Sequence, residues 1–207
     1  MCVKAITERD VPKLGMEPLR RAALVEATIH EIGAHGTLDV TVGAIAKRAG
    51  MSSALAHHYF GCKEQIFLAA MRHTLTVFGA EVRAALVTAE TDTARVEAIV
   101  RASFSSSNFR PEVIAAWLNF YVLAQTVPEA KRLLTIYQAR IRSNLVYSLR
   151  PLIGARASQA ASRIAAMIDG VYLRQSLVKA RPDQSEAAGQ VIDYLYFELK
   201  GVRDEQA

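Results

Sequence analysis

Cysteine is nearly absent from this chain. Cys2 and Cys62 are the only two, and they form no metal-ligand spacing with each other. That excludes a cysteine-built zinc framework and a disulfide-stapled scaffold, and it reads as reduced thiols of a cytoplasmic protein. Long hydrophobic runs are missing too. No stretch of about 18 uncharged apolar residues occurs, so no membrane span is expected. The opening "MCVKAITERD" is charged from the start and lacks an apolar signal core, so secretion is not expected. No alternating strand of useful length, internal repeat or low-complexity tract appears. No nucleophile stands beside a base, and Ser105, Ser106 and Ser107 read as a loop. Charge of one sign is also in short supply. Lys and Arg number 25 against 20 Asp and Glu, a net of +5. That balance permits nucleic-acid binding without demonstrating it. Within residues 1–60 the two signs nearly cancel, and much of the surplus falls later, in "YQARIRSNLVYSLRP".

What the chain does have is helix, with 51% hydrophobic residues to build a core. Residues 1–16 read as an arm. A helix starts near Glu17-Pro18, with proline acceptable in a first turn. Its apolar face is Ala22, Val25, Ile29 and Ile32, and Gly33 and Gly36 end it. Thr41 then caps a short helix by accepting a bond from a free backbone N–H. Val42, Ile45, Ala46 and Ala49 face a core while Lys47 and Arg48 point away. Gly50 permits a sharp turn, with Met51 beneath it. Ser52 caps a second short helix through about Tyr59, with Leu55, Ala56 and Tyr59 inward and Ser53, Ala54, His57 and His58 outward. Lys63-Glu64 opens a longer helix with the stripe Ile66, Phe67, Ala70, Met71, Leu75 and Phe78. Further helices follow at roughly 92–105, 111–126, 129–149, 157–180 and 184–200. "SSSNFRPE", "TVPE", "RPLIGA" and "ARPDQ" separate them. The last two carry apolar residues on more than one stripe, as expected of helices buried on two sides. One side suits the monomer core and the other a partner subunit.

The stretch "AKRAGMSSALAHHYF" admits several readings. Adjacent helical histidines point about 100° apart, so His57 and His58 are a poor metal pair, and no metal or cofactor is expected. A core role suits Phe60 better than the histidines. Two short helices around a glycine turn, braced by a preceding helix, form a helix-turn-helix whose second helix enters the DNA major groove. Ser52, Ser53 and His57 are short or planar polar groups near the start of that helix. Thr41, Tyr59 and Lys63 are donors placed to reach phosphates. Lys63 sits beside the free N–H groups of a helix start, a ready anion contact. Arg48, Ala54 and His58 complete the candidate DNA surface. A helical hairpin with no DNA role remains as the alternative.

"TVGAIAKRAGMSSALAHHYFGCKEQIF" resembles the DNA-binding segment of TetR-type repressors, and "RRAALVEATIHEIGAHG" is similar to their first helix. A further likeness is spread over most of the chain. "PKLGMEPLRR", "HHYFG", "AWLNF" and "MIDGVYLRQSL" look like the choline-responsive repressors of glycine betaine biosynthesis. The chain departs from them at His57, where serine is usual, at Cys62, and in "GVY", where "GLW" is common. The first bears on the operator and the last on the ligand.

The resemblance implies an all-α fold. Residues 17–65 would form a three-helix DNA-binding head, with its helix-turn-helix at about 41–60. Residues 66–207 would form a helical ligand-binding and dimerisation bundle. It implies a homodimer through the last two helices, double-stranded DNA with an inverted-repeat operator as partner, and a quaternary ammonium such as choline as effector. Such a cation is held by aromatic faces and a carboxylate. Trp117, Phe120, Tyr121, Tyr137, Tyr147 and Tyr172 are the ring candidates. Asp169 is the carboxylate, since an acid inside "AAMIDGVY" needs a reason, and Asn119 is a further candidate. Asp169 and Tyr172 share one helix face, as do Trp117 and Tyr121. Aromatics at helical spacing also serve simply as core. The alternatives are a TetR-type repressor of another pathway such as efflux, a small helical enzyme using Asp169 and a histidine, and a helical interaction protein without DNA binding.

Overall fold

The computed structural model describes residues 15–177 and 183–200. Of the expected arm only Gly15 and Met16 fall within that range, and positions 178–180 of the expected helix at 157–180 lie outside it. Among the described residues the chain is helical, with no strand.

The first helix, α1 (Met16–His35), ends at Gly36, whose φ of 67° turns the backbone left-handed while its N–H bonds to the Ile32 carbonyl. Its buried face begins at Leu24, two residues later than expected, and Ala22 is exposed. Gly33 does not end the helix. A Cβ there would lie 2.6 Å from the Cα of Glu112, so glycine is what lets the backbone of α6 (Pro111–Thr126) cross so closely.

Both short helices begin as their sequences dictate. Thr41 Oγ1 accepts from the Ala44 N–H at 3.1 Å, starting α2 (Val42–Arg48), and Ser52 Oγ accepts from the Leu55 N–H at 3.2 Å, starting α3 (Ser53–Phe60). Between them Gly50 has a φ of +67°, and the Met51 N–H returns to the Ala46 carbonyl at 2.8 Å. A side chain at 50 would strain that turn.

Next, α4 (Lys63–Val87) runs unbroken across the boundary expected at residue 65 and joins two cores. Ile66, Phe67, Leu68, Ala70 and Met71 pack with Leu24, Ile32, Ile45 and Ala56 in the head, and Phe78 and Val82 pack in the body. The head core takes in Val113, Ala116 and Phe120 of α6 as well. Helix-turn-helix and body are therefore clamped by two helices, α4 and α6.

The remaining elements are α5 (Asp92–Ser103), capped by Thr91, then α7 (Pro128–Ile153), α8 (Ala157–Ser176) and α9 (Gln184–Lys200). Proline opens both α6 and α7. The break expected at "RPLIGA" is displaced, because α7 continues through Pro151 to Ile153 and Gly154–Arg156 form a 3-10 turn. Burial of Leu149 and Ile153 favours continuing the helix over the proline's lost hydrogen bond near its end. Glu198 locks α9 to α8. Its carboxylate accepts from Arg163 Nε at 2.6 Å and from the Tyr194 hydroxyl at 2.5 Å, beside Arg156. Burial pushes this acid upward, but the hydrogen bonds and positive charges prevail and hold it below its ordinary range.

Candidate functional site

Two places in the molecule concentrate chemistry. The first is the outer side of the head. Thr41, Lys47, Ser52, Ser53, Ala54, His57 and His58 are exposed, while Tyr59 and Lys63 are partly covered. His57 Nδ1 lies 2.9 Å from the Gly61 carbonyl. A carbonyl oxygen only accepts, so Nδ1 carries the proton in this contact and Nε2 is left facing out. Arg20 donates to the Tyr59 hydroxyl oxygen at 3.3 Å, and the Arg21 guanidinium lies over the Tyr59 and Phe60 rings at 5.6 and 5.1 Å. The start of α1 thereby braces α3, and the Tyr59 proton stays free to donate. Cys62 precedes α4 without a side-chain cap, so the first N–H groups of that helix stand open beside Lys63.

Arg48, one of the expected DNA contacts, also makes an ion pair within the head. Its Nε lies 2.5 Å from the carboxylate of Glu31, which is almost buried on α1. Its side chain stays 46% exposed beside that ion pair, and Lys47 has no carboxylate partner among the described residues. In the sequence both basic residues point away from the core, and only Arg48 was among the expected contacts. No group of three or more His, Cys, Asp or Glu side chains among the described residues is placed to hold a metal.

The second place is a cavity of about 550 Å³ in the body, bounded by Phe78 of α4, Ser103 of α5 and Asn108 in the following turn. Trp117, Leu118, Tyr121 and Val122 of α6 line it, with Tyr137 of α7 and Ile168, Asp169, Gly170, Tyr172 and Leu173 of α8. Ring centroids lie 4.8 Å apart for Trp117 and Tyr137, 6.2 Å for Trp117 and Tyr121, and 5.3 Å for Phe78 and Tyr137. The Tyr121 hydroxyl donates to Asp169 Oδ1 at 3.1 Å. The Tyr172 hydroxyl donates to the Asn108 carbonyl at 2.6 Å.

Asp169 has no cationic partner among the described residues. Burial pushes its carboxyl above the ordinary range, and the Tyr121 bond opposes that only in part. Burial likewise raises Tyr121 and Tyr137, with the Asp169 charge adding to both, and burial raises Tyr172. The three phenols are therefore neutral at physiological pH. The cavity as a whole is a box of electron-rich faces with one carboxylate that no cationic side chain among the described residues balances.

Five of the expected ligand residues, Trp117, Tyr121, Tyr137, Asp169 and Tyr172, meet at this cavity. The others do not. Phe120 is fully buried in the head core. Asn119 donates to the Gly36 carbonyl at 3.1 Å and to the Ala115 carbonyl at 2.8 Å, tying α6 to the end of α1. Tyr147 is 70% exposed, with Arg95 over its ring. Phe78 and Asn108 were missed. Phe78 reads as one more core residue in an apolar stripe, and Asn108 sits in a serine-rich turn. That turn is fixed to α4, since Ser105 Oγ, Ser107 Oγ and Asn108 Nδ2 all donate to the Glu81 carboxylate.

The family described as BetI-type transcriptional repressor, C-terminal, matches residues 92–197, and that described as bacterial regulatory proteins, tetR family, matches residues 24–70. The HTH-type transcriptional regulator BetI of Brucella melitensis biotype 2 is 50% identical over 192 residues, covering 92% of this chain and 97% of the relative. The regulator of the same name from Agrobacterium fabrum is 48% identical over 197 residues, covering 95% and 96%. A transcriptional regulator of Pseudomonas aeruginosa PAO1 superposes with a TM-score of 0.79 at 25% identity, covering 96% of this chain and 99% of that one. A transcriptional regulator from Saccharomonospora viridis, solved in complex with choline, superposes with a TM-score of 0.77 at 20% identity, covering 86% and 96%.

Proposed function

The chain belongs to the TetR family of bacterial regulatory proteins and carries the C-terminal domain of its BetI-type transcriptional repressors, and from that premise we propose how its two sites work as one switch. It is a DNA-binding transcriptional repressor and not an enzyme, as its relatives are regulators. In our reading α3 enters the major groove. Ser52, Ser53, Ala54, His57 and His58 meet base edges, and Thr41, Lys47, Tyr59 and Lys63 hold phosphates. Arg48 also fixes α2 on α1 through Glu31. Two copies join through α8 and α9 and read an inverted repeat in the cytoplasm. Phe197 and Leu177, 73% and 72% exposed, are apolar side chains for that contact.

The effector is a quaternary ammonium, choline or a close relative from glycine betaine biosynthesis. One observation carries this reading: the Asp169 carboxylate lies in an aromatic cavity without a counter-charge among the described residues. A permanent cation needs no hydrogen bond and takes its attraction from ring faces, each worth about 0.5–2 kcal/mol, and from the carboxylate. The Saccharomonospora viridis regulator of the same fold, with choline bound, is in keeping with it. Trp117 touches the head core on one side and the cavity on the other, so a ligand that shifts α6 also shifts the head. Release follows if choline favours a dimer whose heads no longer span both half-sites.

The test is a fluorescence-anisotropy titration on a genomic fragment that the purified protein retains. Saturating choline should weaken binding about tenfold or more, the usual scale of such coupling. Unchanged affinity removes the effector and leaves the DNA role. The cavity favours one second reading within the same class. Leu118, Val122, Ile168 and Leu173 add apolar wall beyond what a trimethylammonium group covers, as an efflux-type regulator answering bulkier cations requires. Tighter response to alkyltrimethylammonium ions of growing chain length than to choline would select it.

A further inference from the structure

The cation cavity is not the only concavity bearing on α4. On the far side of Phe78 and Tyr137, a groove of about 480 Å³ runs between α4 and α7. Its floor is apolar, with Leu75 and Val82 from α4 and Leu133 and Ile136 from α7. Its polar groups have the opposite character to Asp169. Arg83 and Arg140 border it from the two helices, with Asn144 one turn beyond Arg140. Arg72 at the other end is taken by Glu129. Arg83 and Arg140 have no carboxylate partner among the described residues.

Gly79 keeps the groove open. A Cβ there would meet only the Arg83 guanidinium, at 3.3 Å, and its φ is not among the positive ones. Neither backbone geometry nor a packed neighbour demands glycine at this position, yet any larger side chain would project into the groove.

We propose that this groove is a second ligand site, taking an amphiphilic anion: a carboxylate forked by Arg83 and Arg140, with a hydrocarbon body laid along the floor between α4 and α7. Guanidinium groups bind carboxylates through paired N–H donors, and the apolar floor contributes in proportion to the area it covers. The site is independent of the cation reading, because none of Arg83, Arg140 and Gly79 borders the aromatic cavity. The two sites share the Phe78–Tyr137 wall, so occupants of each act on one another's affinity by an equal factor.

The experiment is calorimetric titration of the full chain with decanoate below its micelle concentration, beside uncharged decanol and cationic decyltrimethylammonium. Decanoate should bind at a single site per chain and more tightly than decanol. Affinity should fall about tenfold or more, a loss near 1.4 kcal/mol, in the Arg83→Gln/Arg140→Gln double variant. It should vanish in Gly79→Leu, which keeps a helical residue in α4 and fills the groove, while both variants still bind choline if the cation reading holds. Absence of decanoate binding overturns the proposal, as does binding equal to decanol's. So does binding that both variants leave intact but that choline displaces, since the ligand would then occupy the aromatic cavity. The surface arginine variant keeps the test valid should Gly79→Leu fold poorly.

Discussion

Burial disfavours the charged form of Asp169, and in the proposed reading a bound cation offsets that cost. Its carboxyl is raised by burial, so between the ordinary carboxylate range and that raised value the folded chain holds a proton that the unfolded chain has lost. Stability therefore falls as pH rises through this window. Asp169→Asn removes the uncompensated charge. The empty variant should melt about 2–4 °C higher, the equivalent of roughly 1 kcal/mol in a chain of this size, as differential scanning calorimetry will read. The same variant should lose choline binding. In the unmodified protein choline affinity should rise with pH across that window, because only the carboxylate attracts the cation. This residue was legible in the sequence, since an acid within an otherwise apolar helical run has to be explained. Phe120 was misread for a related reason. Its helix is clasped from two sides, and spacing alone does not say that Phe120 faces the head while Tyr121 and Leu118 face the cavity.

At the level of the helices, local chemistry announced most of the boundaries. Thr41 and Ser52 cap where their side chains can reach a free N–H, and Pro111 and Pro128 open helices that tolerate a missing donor only there. Tertiary packing decided the rest. Gly33 resembles a terminator in sequence but is a point of close approach. Gly33→Ala has to push α1 off the backbone of Glu112, and overpacking of this kind costs about 1–3 kcal/mol. It should lower both the melting temperature and the operator affinity. Gly50→Ala places a side chain on a left-handed turn and should cost about 1–2 kcal/mol. Thermal melts followed by circular dichroism check both. Pro151 shows the reverse error, a residue that usually marks an end and here lies within α7, because the flanking Leu149 and Ile153 are buried.

Across the whole molecule, α4 and α6 run from the aromatic cavity to the head, and in the proposed switch they link ligand to DNA. Phe78 and Trp117 touch the cavity, and the same two helices continue into the core that holds α2 and α3. A sequence shows that these helices are apolar but not that they are shared between two cores, which is why a boundary was expected at residue 65 where α4 runs unbroken. The measurement closest to this claim is a calorimetric titration of choline into the free protein and into its complex with operator DNA. The account predicts that operator-bound protein takes choline more weakly, by the same factor by which choline weakens operator binding, and that Asp169→Asn abolishes the choline response in both directions while still binding DNA. Equal choline affinity with and without the operator would contradict it.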